Sequence, residues 1–300
     1  TPQVAQVDSS VASAERAPAQ PDPAQSAPAQ PGPAQRHAVY VRGCWYDESS
    51  GTSDPPPCRW HSDAPGRPVY LVGDSHAAAL TEALVAATDR THRPLTVTAA
   101  SACPLVDVLI TTPTRGGYDT ACQQHTRRTL AWLARQPPGT VVLASTDNYW
   151  LNSQHGVRLA DGQETTRTSG KLAAVRVALT RGVRQLQAAG HDVVLVQTVP
   201  SFRGRYAWAP ERCSLASTLQ GCTQRMPVAA ANARSAPVRA MLAAVGADTG
   251  ARVADVSGAL CPGGVCATRD ASGALYADES HVTIAGSLRL APAFTALLGR

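Results

Sequence analysis

Val69-Tyr70-Leu71-Val72-Gly73-Asp74-Ser75-His76 is the stretch that decides the fold. Four apolar residues in a row, too few for a helix, stop at a glycine, and so read as a buried strand. Directly after it, residues 77–88 carry Leu80, Leu84 and Ala87 at helical spacing. A strand running through a glycine turn into a helix is the repeating unit of a parallel sheet. The alternation continues downstream. Residues 95–99 read as a second strand and 119–135 as a helix with Leu130 and Leu133 inward. Residues 141–144 read as a third strand, and 169–189 as a long helix ended by Gly190. A fourth strand over 192–199, a helix over 235–245, a fifth strand over 252–256 and a last helix over 284–298 complete the pattern. The strands are nearly continuous apolar runs, as sheets covered on both faces require. The expected fold class is α/β: a three-layer α/β/α sandwich around a five-stranded, mainly parallel sheet. One domain is expected, from about residue 37 to residue 300.

Outside this alternation the chain changes character. Residues 1–36 repeat Pro-Ala-Gln from Pro18, Pro23, Pro28 and Pro33, and bulky apolar residues are almost absent there. Such a segment buries too little surface to offset its ordering entropy. It reads as a disordered, extended Pro/Ala/Gln-rich linker. Residues 37–66 read as loop, with Pro55-Pro56-Pro57 inside. Residues 201–234 read as a long irregular insertion.

Composition narrows the setting. The chain has 300 residues, 44% of them hydrophobic, enough for a sizeable core. No run approaches the ~20 apolar residues of a membrane span. No charged segment followed by an apolar one opens the chain, so no export signal is visible. The net charge is +5, carried almost wholly by arginine, with Lys171 the only lysine. The cations are scattered along the sequence, which argues against nucleic acid as a partner. Eight cysteines without a Cys-x-x-Cys argue against a zinc ribbon or a thioredoxin-type redox site. Sequence order suggests the local pairs Cys44–Cys58, Cys103–Cys122, Cys213–Cys222 and Cys261–Cys266. Disulfides persist in oxidising space, so the domain is expected to be extracytoplasmic. Together with the missing export signal, this suggests a processed chain or a piece of a larger membrane protein.

In a parallel sheet, sites gather at the carboxyl ends of the strands. There the first strand presents Gly73-Asp74-Ser75-His76. Ser75 stands at the strand-to-helix junction, where free backbone N–H groups can stabilise an oxyanion. The plain alternative is that Ser75 caps the helix and Asp74 bonds a nearby loop. A serine nucleophile needs a base, and the base an orienting group. Asp278-Glu279-Ser280-His281, after the fifth strand and just before the last helix, offers both. The plain alternative there is Asp278 or Ser280 as a helix cap and His281 on the surface. Neither Gly-x-Gly-x-x-Gly nor Gly-x-Ser-x-Gly occurs, which disfavours a dinucleotide cofactor and the common α/β-hydrolase elbow. No metal cluster and no cofactor are expected.

Gly-Asp-Ser near the start of an α/β domain and Asp-x-x-His near its end resemble the SGNH (GDSL-like) hydrolase superfamily. Gly73-Asp74-Ser75-His76-Ala77, with Ser101-Ala102-Cys103-Pro104 downstream, looks like the SGNH domain fused to membrane acyltransferase-3 proteins. The resemblance spans roughly residues 68–298. It implies Ser75 as nucleophile, His281 as general base and Asp278 as its orienter, with no metal and no cofactor. It implies an acyl-serine intermediate whose acyl group passes to a glycan hydroxyl. The Ser75 N–H would be one oxyanion donor. The superfamily usually adds a Gly in a second block and an Asn in a third. Here Ala99–Ala102 lacks the Gly, and Asn148, in Thr146-Asp147-Asn148-Tyr149, lacks the preceding Gly, which leaves the oxyanion hole in doubt.

The expected function is an extracytoplasmic O-acyltransferase domain, most often O-acetyl, acting on cell-surface glycan. Its acyl donor would come from a membrane acyltransferase domain, to which the spacer would tether it. A secreted carbohydrate or lipid esterase with the same triad is the second reading. A non-catalytic glycan-binding module is the third, kept open by the irregular oxyanion blocks. His76 is expected to bond locally, and His61, His92, His125, His155 and His191 to be surface residues. Trp150, Tyr206 and Trp208 could stack on a sugar or merely pack their loops.

Overall fold

The computed structural model describes residues 36–47, 57–112, 117–159, 161–210, 222–271 and 273–299. The linker expected over residues 1–36 lies, apart from Arg36, outside the described residues. A single mainly parallel sheet organises them. Its strands are β1 (Trp45–Tyr46), β2 (Cys58–Trp60), β3 (Val69–Gly73), β4 (Leu95–Ala100), β5 (Thr140–Ala144), β6 (Asp192–Val196) and β7 (Arg252–Ala254). The five expected strands form the spine in the order β4-β3-β5-β6-β7, all parallel. The count of five is corrected to seven, because β1 pairs parallel and β2 antiparallel with β4. Both come from the segment read as loop. Strands of two and three residues carry no period to detect, and the Cys44–Cys58 disulfide ties them together. Cys103–Cys122 and Cys261–Cys266 are also bonded. The fourth pair, Cys213–Cys222, falls partly outside the described residues, since Cys213 is not among them.

Helices cover both faces. They are α1 (Ala38–Val41), α2 (Ser75–Ala79), α3 (Thr81–Arg90), α4 (Thr120–Leu133), α5 (Asn148–Leu151), α6 (Thr168–Ala188), α7 (Val228–Thr249), α8 (Ser257–Leu260) and α9 (Ile284–Leu298). Alternation along β3 feeds two cores. Val69 and Leu71 pack with Leu84, Leu290 and Phe294 of α3 and α9. Tyr70 and Val72 pack with Leu133, Val183 and Val245 of α4, α6 and α7. Helix α7 begins at Val228, so the irregular insertion is shorter than 201–234. Its first turns are mostly alanine and polar residues, which show no apolar stripe, and Pro237 sits inside it. Four short strands, Leu109–Thr112, Gly117–Tyr118, Gly156–Arg158 and Glu164–Thr165, form a separate antiparallel ribbon that no sequence pattern announced. Among the described residues no helix is long and apolar enough to cross a membrane.

Candidate active site

The chain runs from β3 to β4 on one side and returns to β5 on the other, so β3 and β5 flank the point where strand order reverses. In an open α/β sheet this is the point at which a site is expected. Gly73 and Ala144 are paired there. Gly73 holds φ at 146°, and a Cβ on it would lie 1.8 Å from the Ala144 carbonyl oxygen. Only glycine allows the two strand ends to approach this closely. Asp74 then caps α2. Its carboxylate accepts from the His76 N–H at 2.8 Å and from the Thr146 N–H at 2.9 Å. Asp74 therefore ties the β3 turn to the loop after β5. Burial pushes its carboxyl up to about 6, against the pull of those two N–H groups. Because Asp74 does the capping, the Ser75 hydroxyl is free for another partner.

That partner is His281, whose Nε2 lies 2.7 Å from Ser75 Oγ. His281 Nδ1 lies 2.6 Å from Asp278 Oδ2. The loop that carries this pair is self-organised. Asp278 Oδ1 accepts the Ser280 and His281 N–H groups, each at 2.7 Å. Thr283, not Asp278 or Ser280, caps α9, by accepting from the Gly286 N–H at 3.1 Å. Ser75 is 1% exposed and His281 9%. Burial alone would lift the Asp278 carboxyl, but the His281 charge and the loop hydrogen bonds hold it far below the usual range. Burial likewise pulls the imidazolium down, yet Asp278 more than offsets this and raises His281 above its ordinary value. His76 packs against His281 with ring centroids 4.5 Å apart and the rings tilted by 35°. Burial, then the His281 charge, hold His76 well below its own ordinary value.

Asn148 heads α5, on the loop after β5. Its side-chain carbonyl accepts from Arg203 Nη1, while its Nδ2 makes no hydrogen bond among the described residues. Arg203 was missed in the sequence. It also pairs with Glu279 at 2.7 Å and reaches Ser280 Oγ at 3.4 Å, joining the Asn148 loop to the His281 loop. Lys171, noted only as the single lysine, is fully buried. Its ammonium donates to the carbonyls of Tyr149, Asn152 and His155 at 3.1, 2.6 and 3.0 Å and so braces the same loop from below. In the block without a glycine, Ala102 holds φ at 49°. The left-handed backbone is thus present although the residue is alanine.

Other expectations are corrected. His125 and His191 are buried. His125 stacks on Tyr46 at 4.8 Å, and His191 bridges the Gly139 N–H and the Leu133 carbonyl. Trp150, 3% exposed, belongs to the core and offers no face to a sugar. Tyr206 and Trp208 pack partly buried against the other core cluster. Among the described residues no group of three or more His, Cys, Asp or Glu is placed to hold a metal.

The structure resembles the periplasmic domain of a lipopolysaccharide acetyltransferase from Salmonella ser. Paratyphi A, with a TM-score of 0.54 at 17% identity over 79% of this chain and 85% of that one. It overlaps more loosely with a catalytic mutant of Axe2, an acetylxylan esterase from Geobacillus stearothermophilus, at TM-score 0.40 and 14% identity over 78% and 94% of the two chains. The first likeness speaks for the fold. No curated protein matches the sequence. The model of the SGNH domain (fused to AT3 domains) matches residues 43–296, and the chain belongs to that family.

Proposed function

We propose that this chain is an extracytoplasmic, serine-dependent O-acyltransferase domain that passes an acyl group, typically acetyl, to a cell-surface glycan. The observation that carries the proposal is the relay Ser75 Oγ–His281 Nε2 at 2.7 Å and His281 Nδ1–Asp278 at 2.6 Å. In the first half-reaction Ser75 Oγ attacks the acyl carbonyl while His281 Nε2 takes the serine proton. Asp278 orients the imidazole and stabilises the imidazolium. The Ser75 N–H and Asn148 Nδ2 would stabilise the oxyanion, and Arg203, by occupying the Asn148 carbonyl, leaves that amide nitrogen free to donate. The leaving group departs with the proton from His281. A sugar hydroxyl then attacks the acyl-serine as His281 removes its proton, and Ser75 Oγ leaves carrying the proton that His281 returns to it. The near-complete burial of Ser75 favours a small acyl group. Family membership supports a donor supplied by a membrane acyltransferase domain. Three disulfides support an oxidising compartment.

Intact-protein mass spectrometry after brief exposure to an activated acetyl ester tests this. Wild type should carry one acetyl group, and Ser75→Ala none, with thermal unfolding nearly unchanged because Asp74 keeps the cap. A Ser75→Ala variant that still acylates would defeat the proposal. Adding a glycan acceptor should speed deacylation. Deacylation at the same rate without one would favour the esterase.

A further inference from the structure

Arg225, Arg269 and Arg289 are far apart in sequence, yet the fold brings them to one groove of about 300 Å³. Arg225 lies on the short strand Arg225–Pro227, which pairs with Val265–Ala267. Arg269 lies on the next hairpin and Arg289 on α9. The floor is apolar and rigid. Leu260 and Leu275 are buried core residues, and the Cys261–Cys266 disulfide pins the adjoining turn. Val265, 40% exposed, adds an open apolar surface of the kind on which the C–H face of a sugar ring can rest.

The charge in this groove is not balanced. Asp270 pairs with Arg289. Arg225 and Arg269 make no side-chain hydrogen bond or ion pair among the described residues. Several arginines elsewhere find acids: Arg67 with Asp192, Arg127 with Asp107, Arg176 with Asp248 and Arg239 with Asp255. Two unneutralised guanidiniums in one cleft concentrate positive potential. Their planar forks fit carboxylate or phosphate oxygens in pairs.

The groove also lies close to the loop that carries the relay. Leu275 is three residues from Asp278, which bounds their Cα separation at about 11 Å. The floor of the groove is therefore no farther than that from the loop that carries His281.

We propose that the Arg225–Arg269–Arg289 groove is the acceptor-chain subsite and that the acceptor is an anionic glycan bearing carboxylate or phosphate groups. This rests on the acyl-transfer reading above and names the class of its acceptor. It also revises the view of the cations as scattered, which holds along the chain but not in space.

The experiment measures binding by calorimetry, without turnover, to the intact chain and to an Arg225→Ala/Arg269→Ala variant. The probes are short oligogalacturonides, the same oligomers fully methyl-esterified, and phosphatidylglycerol vesicles. Wild type should bind the charged oligomer, the double variant should bind it at least about tenfold more weakly, and the neutral ester should bind no better than the variant does. Equal binding by the variant, equal binding of the neutral ester, or no binding by wild type would overturn the proposal. So would arginine-dependent capture of vesicles in place of the oligosaccharide. Acylation of Ser75 by the activated ester should be unaltered in the double variant. Loss of glycan binding with acylation intact, or the reverse, therefore separates failure of the groove from failure of the acyl-serine mechanism.

Discussion

Two loops meet over Ser75, and they are built in opposite ways. The Asp278–His281 loop organises itself: one carboxylate accepts two backbone N–H groups of its own turn and the imidazole three residues on. The Thr146–Asn148 loop is held from outside. Asp74 holds the Thr146 N–H, Arg203 holds the Asn148 carbonyl, and Lys171 grips three carbonyls just beyond. The self-contained loop supplies the proposed proton relay. The externally held one supplies the candidate oxyanion donor. The bonds of the Asp278 carboxylate lie within its own four residues, whereas the second loop depends on groups contributed by three other segments. Damage should therefore be sharp and chemical in the first loop, graded and mechanical in the second.

The largest expected effect lies in the first loop. Asp278→Asn keeps an oxygen for the backbone turn but removes the charge facing His281. Turnover of an activated acetyl ester should fall by about ten-thousand-fold, as loss of this charge does in other serine triads. The fold should survive, because the two N–H bonds to Oδ1 can remain. A denaturant midpoint far below that of wild type would mean that the carboxylate serves mainly to hold the turn.

Next comes Arg203→Ala. It removes the link between the loops and frees the Asn148 amide to rotate. Removing an oxyanion donor outright costs about a hundred- to a thousandfold. Loosening one should cost about ten- to a hundredfold, in kcat more than in KM. Arg203→Lys should recover little, since one ammonium cannot span Asn148, Glu279 and Ser280 as the planar fork does. Full recovery by lysine would reduce Arg203 to a point charge.

The same contrast explains what the sequence made legible. Gly-Asp-Ser and Asp-x-x-His are short-range patterns whose chemistry is contained within three or four residues, so they can be read without knowing the fold. The spine strands are legible because burial on both faces leaves unbroken apolar runs. Arg203, Lys171 and the arginine groove are not legible, because each acts on residues far away in sequence. Lys171 reaches back 22 residues to Tyr149, and Arg203 reaches forward 77 to Ser280. Strands β1 and β2 were hidden for a different reason: they are too short to show a period, and a disulfide and their pairing with β4 stabilise them. The positions of His125 and His191 follow from packing and backbone bonds that no local pattern encodes.

Lys171→Met should act more weakly on rate and more strongly on stability. The methionine fills a similar volume but leaves three carbonyls, that of Tyr149 buried and those of Asn152 and His155 part-buried, without their donor. Unsatisfied buried groups of this kind cost about 1–3 kcal/mol. Urea denaturation should show a loss in that range, and turnover should drop severalfold as the loop that carries Asn148 loosens. Unchanged stability would mean that water replaces the ammonium.

The smallest effect is the most discriminating, because the two loops should move it in opposite directions. General-base action needs neutral His281, so the rate should rise with pH through its pKa, which lies above the ordinary value of 6.5. The stability linkage has the opposite sense. The imidazolium–carboxylate pair contributes fully below the unfolded-state value and is lost as pH rises through the folded one. The protein is thus most firmly paired where it is least active. Asp278 holds the imidazolium up, so Asp278→Asn should shift the acid limb of the rate profile to lower pH. The Arg203 guanidinium pulls it down, so Arg203→Ala should shift the limb upward. A purely mechanical Arg203 would lower the plateau and leave the limb in place. The direction of that shift separates its electrostatic action on the self-contained loop from its grip on the other.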